Sequence, residues 1–294
     1  MAGKLKEVRI RIASVASTQQ ITKAMKMVSA AKLRRAQEAI LQMRPYALKM
    51  GELLSNIAEA AGDDVKIDFA KSREVKSVLL VAVASDKGLC GAFNANVIKQ
   101  IKATIEAKYS HLPKANVKVL FIGKKGYDVM KRSTYTMNTD FMDLFTRINF
   151  INVSRATSYI KEGFLKGEFD EVMVVYNKFK NAGTQILETE QFLPIKKLVP
   201  TPGAKKVKAD YIYDPEKEQM ITELVPRILN TTFYRYILDS NASEHGARMT
   251  AMDKASENAS ELLKDLKVSY NRARQAAITT ELTEIVSGAA ALQG

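Results

Sequence analysis

The sequence has very few of the residues that build disulfide frameworks and metal centres. Its 294 residues include one cysteine, two histidines and no tryptophan. The single cysteine, Cys90, excludes an internal disulfide and any metal site made only of cysteines, and it is typical of a reducing compartment. His111 and His245 belong to no cluster with metal-ligand spacing. We therefore expect neither a structural metal nor another cofactor.

Long apolar runs are absent as well. No window approaches the roughly 18 apolar residues that are needed to cross a bilayer. The basic N-terminus lacks the compact apolar block and the cleavage site of a secretory signal. The sequence therefore predicts no transmembrane segment and a mature chain that starts near Met1.

Glycine and proline are scarce in the first part of the chain, which predicts a long helix there. Between Leu5 and about Ala58 there is one glycine, Gly51, and one proline, Pro45. At about 1.5 Å per residue this helix is roughly 80 Å long, and Pro45 is expected to bend it or mark a joint. A stripe with steps of mostly three and four suits a partner helix. The stripe consists of Leu5, Val8, Ile12, Val15, Thr18, Thr22, Met25, Val28, Leu33, Ala36, Ile40 and Met43.

The middle of the chain alternates β-branched runs with helical patterns. Strands are predicted at 78–83, 117–122 and 171–176, and helices at 95–109, 124–132 and 154–165. This alternation predicts a largely parallel sheet, and a further strand near 185–193 is expected to lie antiparallel at its edge. The lysine-rich stretch 196–214, which contains two prolines and a glycine, is expected to be an exposed connection.

The strongest periodic pattern lies in a second long helix, predicted from about Pro215 to the end. Its apolar or small residues step by four and three, a repeat of about 3.5 residues that is typical of paired helices. Many of them are small, so a partner helix can approach closely. Pro226 and Gly246 are expected to be bends. The repeat consists of His245, Met249, Met252, Ser256, Ala259, Leu263, Leu266, Tyr270, Ala273, Ala277, Thr280 and Glu284.

Two long helices at the chain ends can share a seam only if they pair antiparallel. The predicted fold class is therefore α/β plus long α: an antiparallel coiled coil of the N- and C-terminal helices with an inserted Rossmann-like α/β domain. The predicted boundaries are 1–58, 59–214 and 215–294. Because the second helix is longer, its apolar tip is expected to project and to need a receiving surface. The tip consists of Ile278, Leu282, Ile285, Val286 and residues 289–292.

The net charge of +13 is concentrated near the N-terminus, where residues 1–50 hold eleven Lys or Arg and two Glu. Nucleic acid, an anionic membrane and an acidic protein surface all suit such a segment, and charge does not choose among them. A basic helical nucleic-acid-binding protein is therefore one alternative, although Tyr46 is the segment's only aromatic residue for base stacking.

A small-molecule α/β enzyme made from residues 77–193 is a further alternative. Its turns lack the glycine spacing that surrounds a phosphate; the nearest stretch, 123–126, reads Gly-Lys-Lys-Gly. Cys90 lies in a glycine-flanked turn after a strand, where a nucleophile is plausible. It has no partner histidine with a local signature, so a small buried side chain is the better interpretation.

Four segments resemble one known family. They are SVASTQQITKAMKMVSAAKLRRAQ at 14–37, SDKGLCGAFN at 85–94, SEHGARMTAMDKASENA at 243–259 and YNRARQAAITTELTEIVSGAAAL at 270–292. In order and over the whole length they resemble the γ subunits of F-type ATP synthases. The resemblance implies a noncatalytic rotor shaft that couples proton flow through the membrane sector to ATP synthesis or hydrolysis at distant α/β sites.

The same resemblance implies partners and a location. The paired helices are expected to turn inside a ring of three α and three β subunits, with one copy of the chain per complex. The globular part is expected to stand on the c-ring and to bind ε. No nucleic acid is expected, and the chain is expected to be peripheral on the cytoplasmic face of a bacterial inner membrane or the equivalent organelle face.

The resemblance also implies contact residues. Lys23, Met25 and Lys26 match a segment that faces an acidic loop of β, and Lys87 and Cys90 match a loop near the bottom of the ring. Tyr211, Tyr213 and Asp214 match a segment that meets the c-ring, although many relatives have Glu where Asp214 stands. The remaining expected β contacts are Arg248, Arg274, Gln275, Thr279, Glu281 and Ile285.

Overall fold

The computed structural model describes residues 2–61, 68–195 and 217–293. The chain divides into two compact units. One unit consists of Met1–Ala30 and Arg248–Gly294, and the other consists of Ala31–Ala247. Two long helices, α1 (Ala2–Ala61) and α5 (Lys217–Gln293), contribute residues to both units.

The unit of residues 31–247 is built on a five-stranded sheet with the order β3-β2-β1-β4-β5. β1, β2, β3 and β4 run parallel, and β5 pairs antiparallel with β4. The predicted antiparallel edge strand is therefore confirmed. The strands are β1 (Val78–Val83), β2 (Val117–Ile122), β3 (Thr136–Asn138), β4 (Glu171–Asn181) and β5 (Thr184–Leu193).

Helices cover both faces of this sheet. They are α2 (Phe93–Lys108), α3 (Lys124–Met130) and α4 (Phe150–Lys166), together with the first part of α5. On one face α4 and α5 pack with Leu79, Val81 and Val83. On the other face α2 packs with Val78, Leu80 and Ala82. All six residues of β1 are buried, as is typical of a central parallel strand, and this explains its continuous apolar run.

Several element boundaries differ from the prediction for local reasons. α4 begins at Phe150 rather than Ser154 because the side chain of Asn149 caps it, accepting a hydrogen bond from the Asn152 amide at 2.7 Å. β4 continues to Asn181 because its pairing with β5 continues to the hairpin turn. β3 was not predicted, since three residues with mixed exposure carry no periodic signal.

The two interior prolines do not end their helices. α1 continues through Pro45, and α5 continues through Pro226. Gly246, also inside α5, lies against the β4–β5 hairpin, where a Cβ atom would be 3.0 Å from the Ala182 carbonyl oxygen. The glycine is therefore explained by a close approach of two backbones. The bends predicted at these positions stay predictions.

Candidate interaction surfaces

The unit of residues 1–30 and 248–294 is an antiparallel helix pair with polar contacts in its seam. Thr22 on α1 and Ser256 on α5 are both buried, and their hydroxyl oxygens lie 2.7 Å apart. Each hydroxyl also lies close to a backbone carbonyl one turn earlier, that of Gln19 for Thr22 and that of Met252 for Ser256. The seam therefore contains a satisfied hydroxyl pair instead of a purely apolar layer.

A salt bridge lies one turn along from the hydroxyl pair. The Lys26 ammonium is 2.5 Å from the Asp253 carboxylate, and the two side chains are 42% and 43% exposed. As the α1 number rises from 22 to 26, the partner number on α5 falls from 256 to 253, which is the signature of antiparallel pairing. At this exposure the ion pair contributes about 0.5 kcal/mol, so it specifies register more than it stabilises.

The buried face of α1 differs in part from the predicted stripe. Thr18 is exposed and Val28 is 58% exposed, whereas Gln19 is half-buried and Ser29 is 3% exposed. The seam therefore passes through Gln19 and Ser29, and the prediction for Thr18 and Val28 was wrong. Steps of three and four residues do not fix which of two neighbouring residues faces the partner helix, and at both positions the buried or half-buried residue is the next one along the chain.

The predicted repeat on α5 is confirmed. Its positions from His245 to Thr280 are buried or half-buried, with Met252, Ala259 and Leu266 among the most buried, and only the last, Glu284, is exposed.

The end of α5 projects beyond the start of α1. Ala2, the first residue of α1, lies twenty residues before Thr22, so the antiparallel register places it level with about residue 276 of α5. Residues 277–293 therefore extend past the start of α1 by about 25 Å.

The expected β contacts on α1 are accessible to different degrees. Lys23 is exposed, Met25 is half-buried, and Lys26 is already engaged with Asp253. Met27 and Val28 were not proposed as contacts, yet they are 67% and 58% exposed. The exposed surface of this segment therefore combines Lys23 and part of the Lys26 side chain with apolar side chains.

The expected contacts on α5 separate into an exposed group and one buried residue. Arg274, Gln275, Thr279 and Glu281 are exposed, and Ile285 is 67% exposed. Ile278, Leu282 and Val286 are 48%, 56% and 66% exposed, as expected for residues of the predicted apolar tip. Arg248 is 7% exposed, so its side chain offers little surface to a partner.

The loop after β1 holds Lys87 outside and Cys90 inside. Cys90 is 1% exposed, and its sulfur accepts a hydrogen bond from the side-chain amide nitrogen of Asn94 at 3.2 Å. The side-chain oxygen of Asn94 accepts a hydrogen bond from the backbone N–H of Ser85 at 2.9 Å. Lys87 is exposed. Leu89 has a positive φ of 63°, and the residue is 63% exposed. The buried polar side chains thus hold the loop while Lys87 and Leu89 face outward.

The expected c-ring contacts Tyr211, Tyr213 and Asp214 lie outside the described residues. Within the described ranges, no helix has a stretch long and apolar enough to span a bilayer. Across those same ranges, no three His, Cys, Asp or Glu side chains come together as ligands for a metal ion.

A buried polar cluster in the unit of residues 31–247 was missed by the sequence reasoning. Tyr176 and Tyr236 donate hydrogen bonds to the two carboxylate oxygens of Glu190, at 2.7 and 2.6 Å. The two rings lie 4.4 Å apart. Burial alone would raise the pKa of Glu190, but the hydrogen bonds from Tyr236 and Tyr176 outweigh it, and the net shift is downward. No motif announces this cluster, because its members come from β4, β5 and α5.

The comparison with protein families decides the identity. Residues 4–292 match the family model described as ATP synthase. The ATP synthase gamma chain of Cytophaga hutchinsonii is 54% identical over 290 residues, covering 98% of both chains. That of Flavobacterium johnsoniae is 51% identical and covers 99% of this chain and 100% of the relative.

The chain belongs to the ATP synthase γ-chain family. The resemblance carried by the four sequence segments is thereby confirmed. The match runs over nearly the full length, so it includes the two long helices and the α/β unit. Family membership decides against the rival predictions of a nucleic-acid-binding helix and a small-molecule enzyme.

Solved structures show the same fold. A chain of the Euglena gracilis mitochondrial ATP synthase in rotational state 3 is similar with a TM-score of 0.66 and 19% identity, covering 99% of this chain and 95% of that one. A chain from the central stalk and c-ring structure of the Tetrahymena thermophila enzyme has a TM-score of 0.56 and 25% identity, covering 80% and 99%. The predicted fold class, α/β plus a long antiparallel helical pair, is confirmed.

Proposed function

We propose that the chain is the central rotor shaft of an F-type ATP synthase, a noncatalytic subunit that couples proton flow to ATP synthesis or hydrolysis. The observation that carries this proposal is the antiparallel helix pair with its projecting apolar end, in a chain of the γ family. A shaft needs a stiff element that other subunits can turn and a shaped end that they can sense. The pair supplies the first, and residues 277–293 supply the second.

The partners are the α and β subunits, three of each, together with ε and the c-ring, with one copy of the chain per complex. Similar structures include chains from a central stalk with its c-ring and from a rotor of mitochondrial ATP synthases, which supports assembly into a complex of this kind. The similar gamma chains from bacteria support a position on the cytoplasmic face of the inner membrane. Tyr211, Tyr213 and Asp214 form the contact with the c-ring.

The energetic demand on such a shaft is modest. Driving a two-state site from 1:99 to 99:1 takes about 5.5 kcal/mol of differential interaction. At about 25 cal/mol per Å² this corresponds to roughly 220 Å² of apolar surface buried in one rotary position and released in another. Ile278, Leu282, Ile285 and Val286, each 48% to 67% exposed, provide apolar surface for this exchange. Arg274, Gln275, Thr279 and Glu281 add polar contacts to β beside them.

On α1, Lys23 approaches an acidic surface of β, and the flanking apolar side chains provide contacts that tolerate sliding. Lys26 contributes indirectly, because it is held by Asp253 and fixes the register of the pair. In the loop after β1, Lys87 and the exposed Leu89 form the contact surface, and Cys90 supports the loop from within.

Co-purification tests the assembly. The full chain, tagged and expressed together with α and β subunits, is expected to bring them down with ATPase activity. A variant with Leu282→Ser, Ile285→Ser and Val286→Ser is expected to keep its helix pair but to lower proton pumping per ATP hydrolysed in reconstituted vesicles. Failure of the tagged chain to recover α and β would refute the proposal.

A charge exchange separates the two lysines on α1. Lys26→Asp combined with Asp253→Lys restores the ion pair, so near-normal coupling is expected from the double variant. Lys23 has no ion-pair partner among the described residues, so Lys23→Asp is not compensated within the chain and is expected to weaken coupling. If both variants lose coupling equally, Lys26 also touches β directly, and its assignment as a register residue is wrong.

A further inference from the structure

A groove of about 700 Å³ lies within the unit of residues 31–247, between α1, the end of β4 and α5. Its apolar wall includes Ile40 and Leu41 of α1, Phe179 of β4 and Leu238 of α5. Leu41 is 63% exposed, whereas Leu238 is 3% exposed, so the apolar surface continues from the rim to the floor. The volume falls within the range of small-molecule sites.

The rim of this groove is cationic. It contains Arg44, Lys178, Lys180 and Arg235. Lys178 pairs with Glu188 at 3.0 Å, and Arg235 lies 3.8 Å from Glu190. Arg44 and Lys180 form no ion pair with any residue in the described ranges, and both are exposed. Two positive charges at the rim therefore remain available to a ligand.

One carboxyl group, that of Asp239, also lines the groove. Burial raises its pKa to about 6, while Arg235 and Lys178 oppose that shift. No hydrogen bond joins it to another side chain among the described residues. A half-buried carboxyl with a pKa of about 6 can accept a proton within the physiological range and then donate a hydrogen bond.

We propose that this groove binds a single-chain amphiphilic anion, with its apolar chain against Ile40, Leu41, Phe179 and Leu238 and its acidic head at Arg44 and Lys180. Two features together select this class of ligand. A free phosphate would use the cations and leave the apolar wall wet, whereas a neutral lipid chain would leave the cations without a partner. The shared chemistry of the head is a carboxylate, sulfonate or phosphate oxygen.

Binding by this groove depends on pH in a definite direction. The charged groups that act on Asp239 are Arg235 on its own helix, Lys178 on β4, and Glu188 and Glu190 on β5. Lys180 of β4 and Arg44 of α1 line the same groove. Ionised Asp239 repels an anionic head group, whereas protonated Asp239 is neutral and does not. If only the protonated form binds, affinity falls by up to about 25-fold between about pH 5.5 and about pH 7.5.

Calorimetric titration of the full chain tests the proposal. Decanesulfonate below its micelle concentration is the probe, because its head stays charged over this pH range. Methanesulfonate supplies the head alone, and decyltrimethylammonium supplies the chain with the opposite charge. Saturable binding is expected from decanesulfonate and not from either control compound. If methanesulfonate binds as tightly, the cations act alone and the proposal is wrong; if decanesulfonate gives no saturable heat, the groove does not bind this class.

Variants locate the site. Arg44→Met and Lys180→Met are each expected to weaken decanesulfonate binding by about threefold, while Lys102→Met, an exposed lysine on α2, is expected to leave it unchanged. Asp239→Asn is expected to bind tightly at both pH values. Circular dichroism confirms folding of each variant. Equal affinities in Arg44→Met, Lys180→Met and Lys102→Met would place the probe elsewhere and overturn the assignment.

Discussion

Thr22 and Ser256 are separated by 234 positions in the sequence, yet their hydroxyl oxygens lie 2.7 Å apart in the seam of the helix pair. This contact fixes the antiparallel register at one layer. Thr22→Val and Ser256→Ala are each expected to lower the free energy of unfolding by about 1 kcal/mol. Chemical denaturation of the full chain measures the loss.

The double variant distinguishes a paired role from two separate ones. Thr22→Val with Ser256→Ala is expected to cost less than the sum of the single changes, because the second change removes a group already without its partner. Thr18→Val is the matched control, since its hydroxyl is exposed and bonds only within its own helix. Strict additivity would mean that the two hydroxyls do not interact.

Steric expansion of the seam is expected to affect coupling more than folding. Ala273 is half-buried and lies level with about residue 5 of α1, so a tryptophan there pushes the helices apart near the projecting end. Ala273→Trp is expected to lower proton movement per ATP turned over in reconstituted vesicles. Ala276→Trp, on the exposed face, is the control. Unchanged coupling in Ala273→Trp would count against the seam as the stiff element.

Gly246 is expected to resist replacement although it lies inside a helix. Alanine usually stabilises a helix interior relative to glycine by about 1 kcal/mol. At Gly246 the added Cβ would lie 3.0 Å from the Ala182 carbonyl oxygen, so the hairpin must move and the gain is lost. Gly288→Ala, in the same helix with nothing within 4 Å, is the control. A lower thermal unfolding midpoint is expected for Gly246→Ala and not for Gly288→Ala; a stabilised Gly246→Ala would contradict the close approach.

Asp239 is expected to destabilise the folded chain near neutral pH. Burial raises its pKa to about 6, so the folded state binds a proton more tightly than the unfolded state does. The contribution of this group to the free energy of unfolding is therefore highest at low pH, where the carboxyl is protonated in both states, and it falls as pH rises from about 4 to about 6. Asp239→Asn is expected to raise the free energy of unfolding by about 2 kcal/mol at about pH 7 and by only about 0.5 kcal/mol at about pH 4. A gain that does not depend on pH would show that ionisation is not its cause.

Local patterns in the sequence were sufficient for both long helices, for every strand except β3, and for the buried face of α5. Scarcity of glycine and proline predicted the long helices, and the repeat from His245 to Thr280 matched the protected face of α5. These predictions succeed because helical periodicity is a property of neighbouring residues. The four family segments identified the chain for a similar reason, since each is contiguous.

The sequence by itself determined the long helices, four of the five strands and the family of this protein. Tertiary structure alone decided that Gln19 and Ser29 face the seam, that Tyr176 and Tyr236 share Glu190, and that Gly246 lies under a hairpin. The physical reason is distance along the chain. Periodicity identifies a face of an element, but a hydrogen bond or a close backbone approach depends on residues that folding brings together from remote positions.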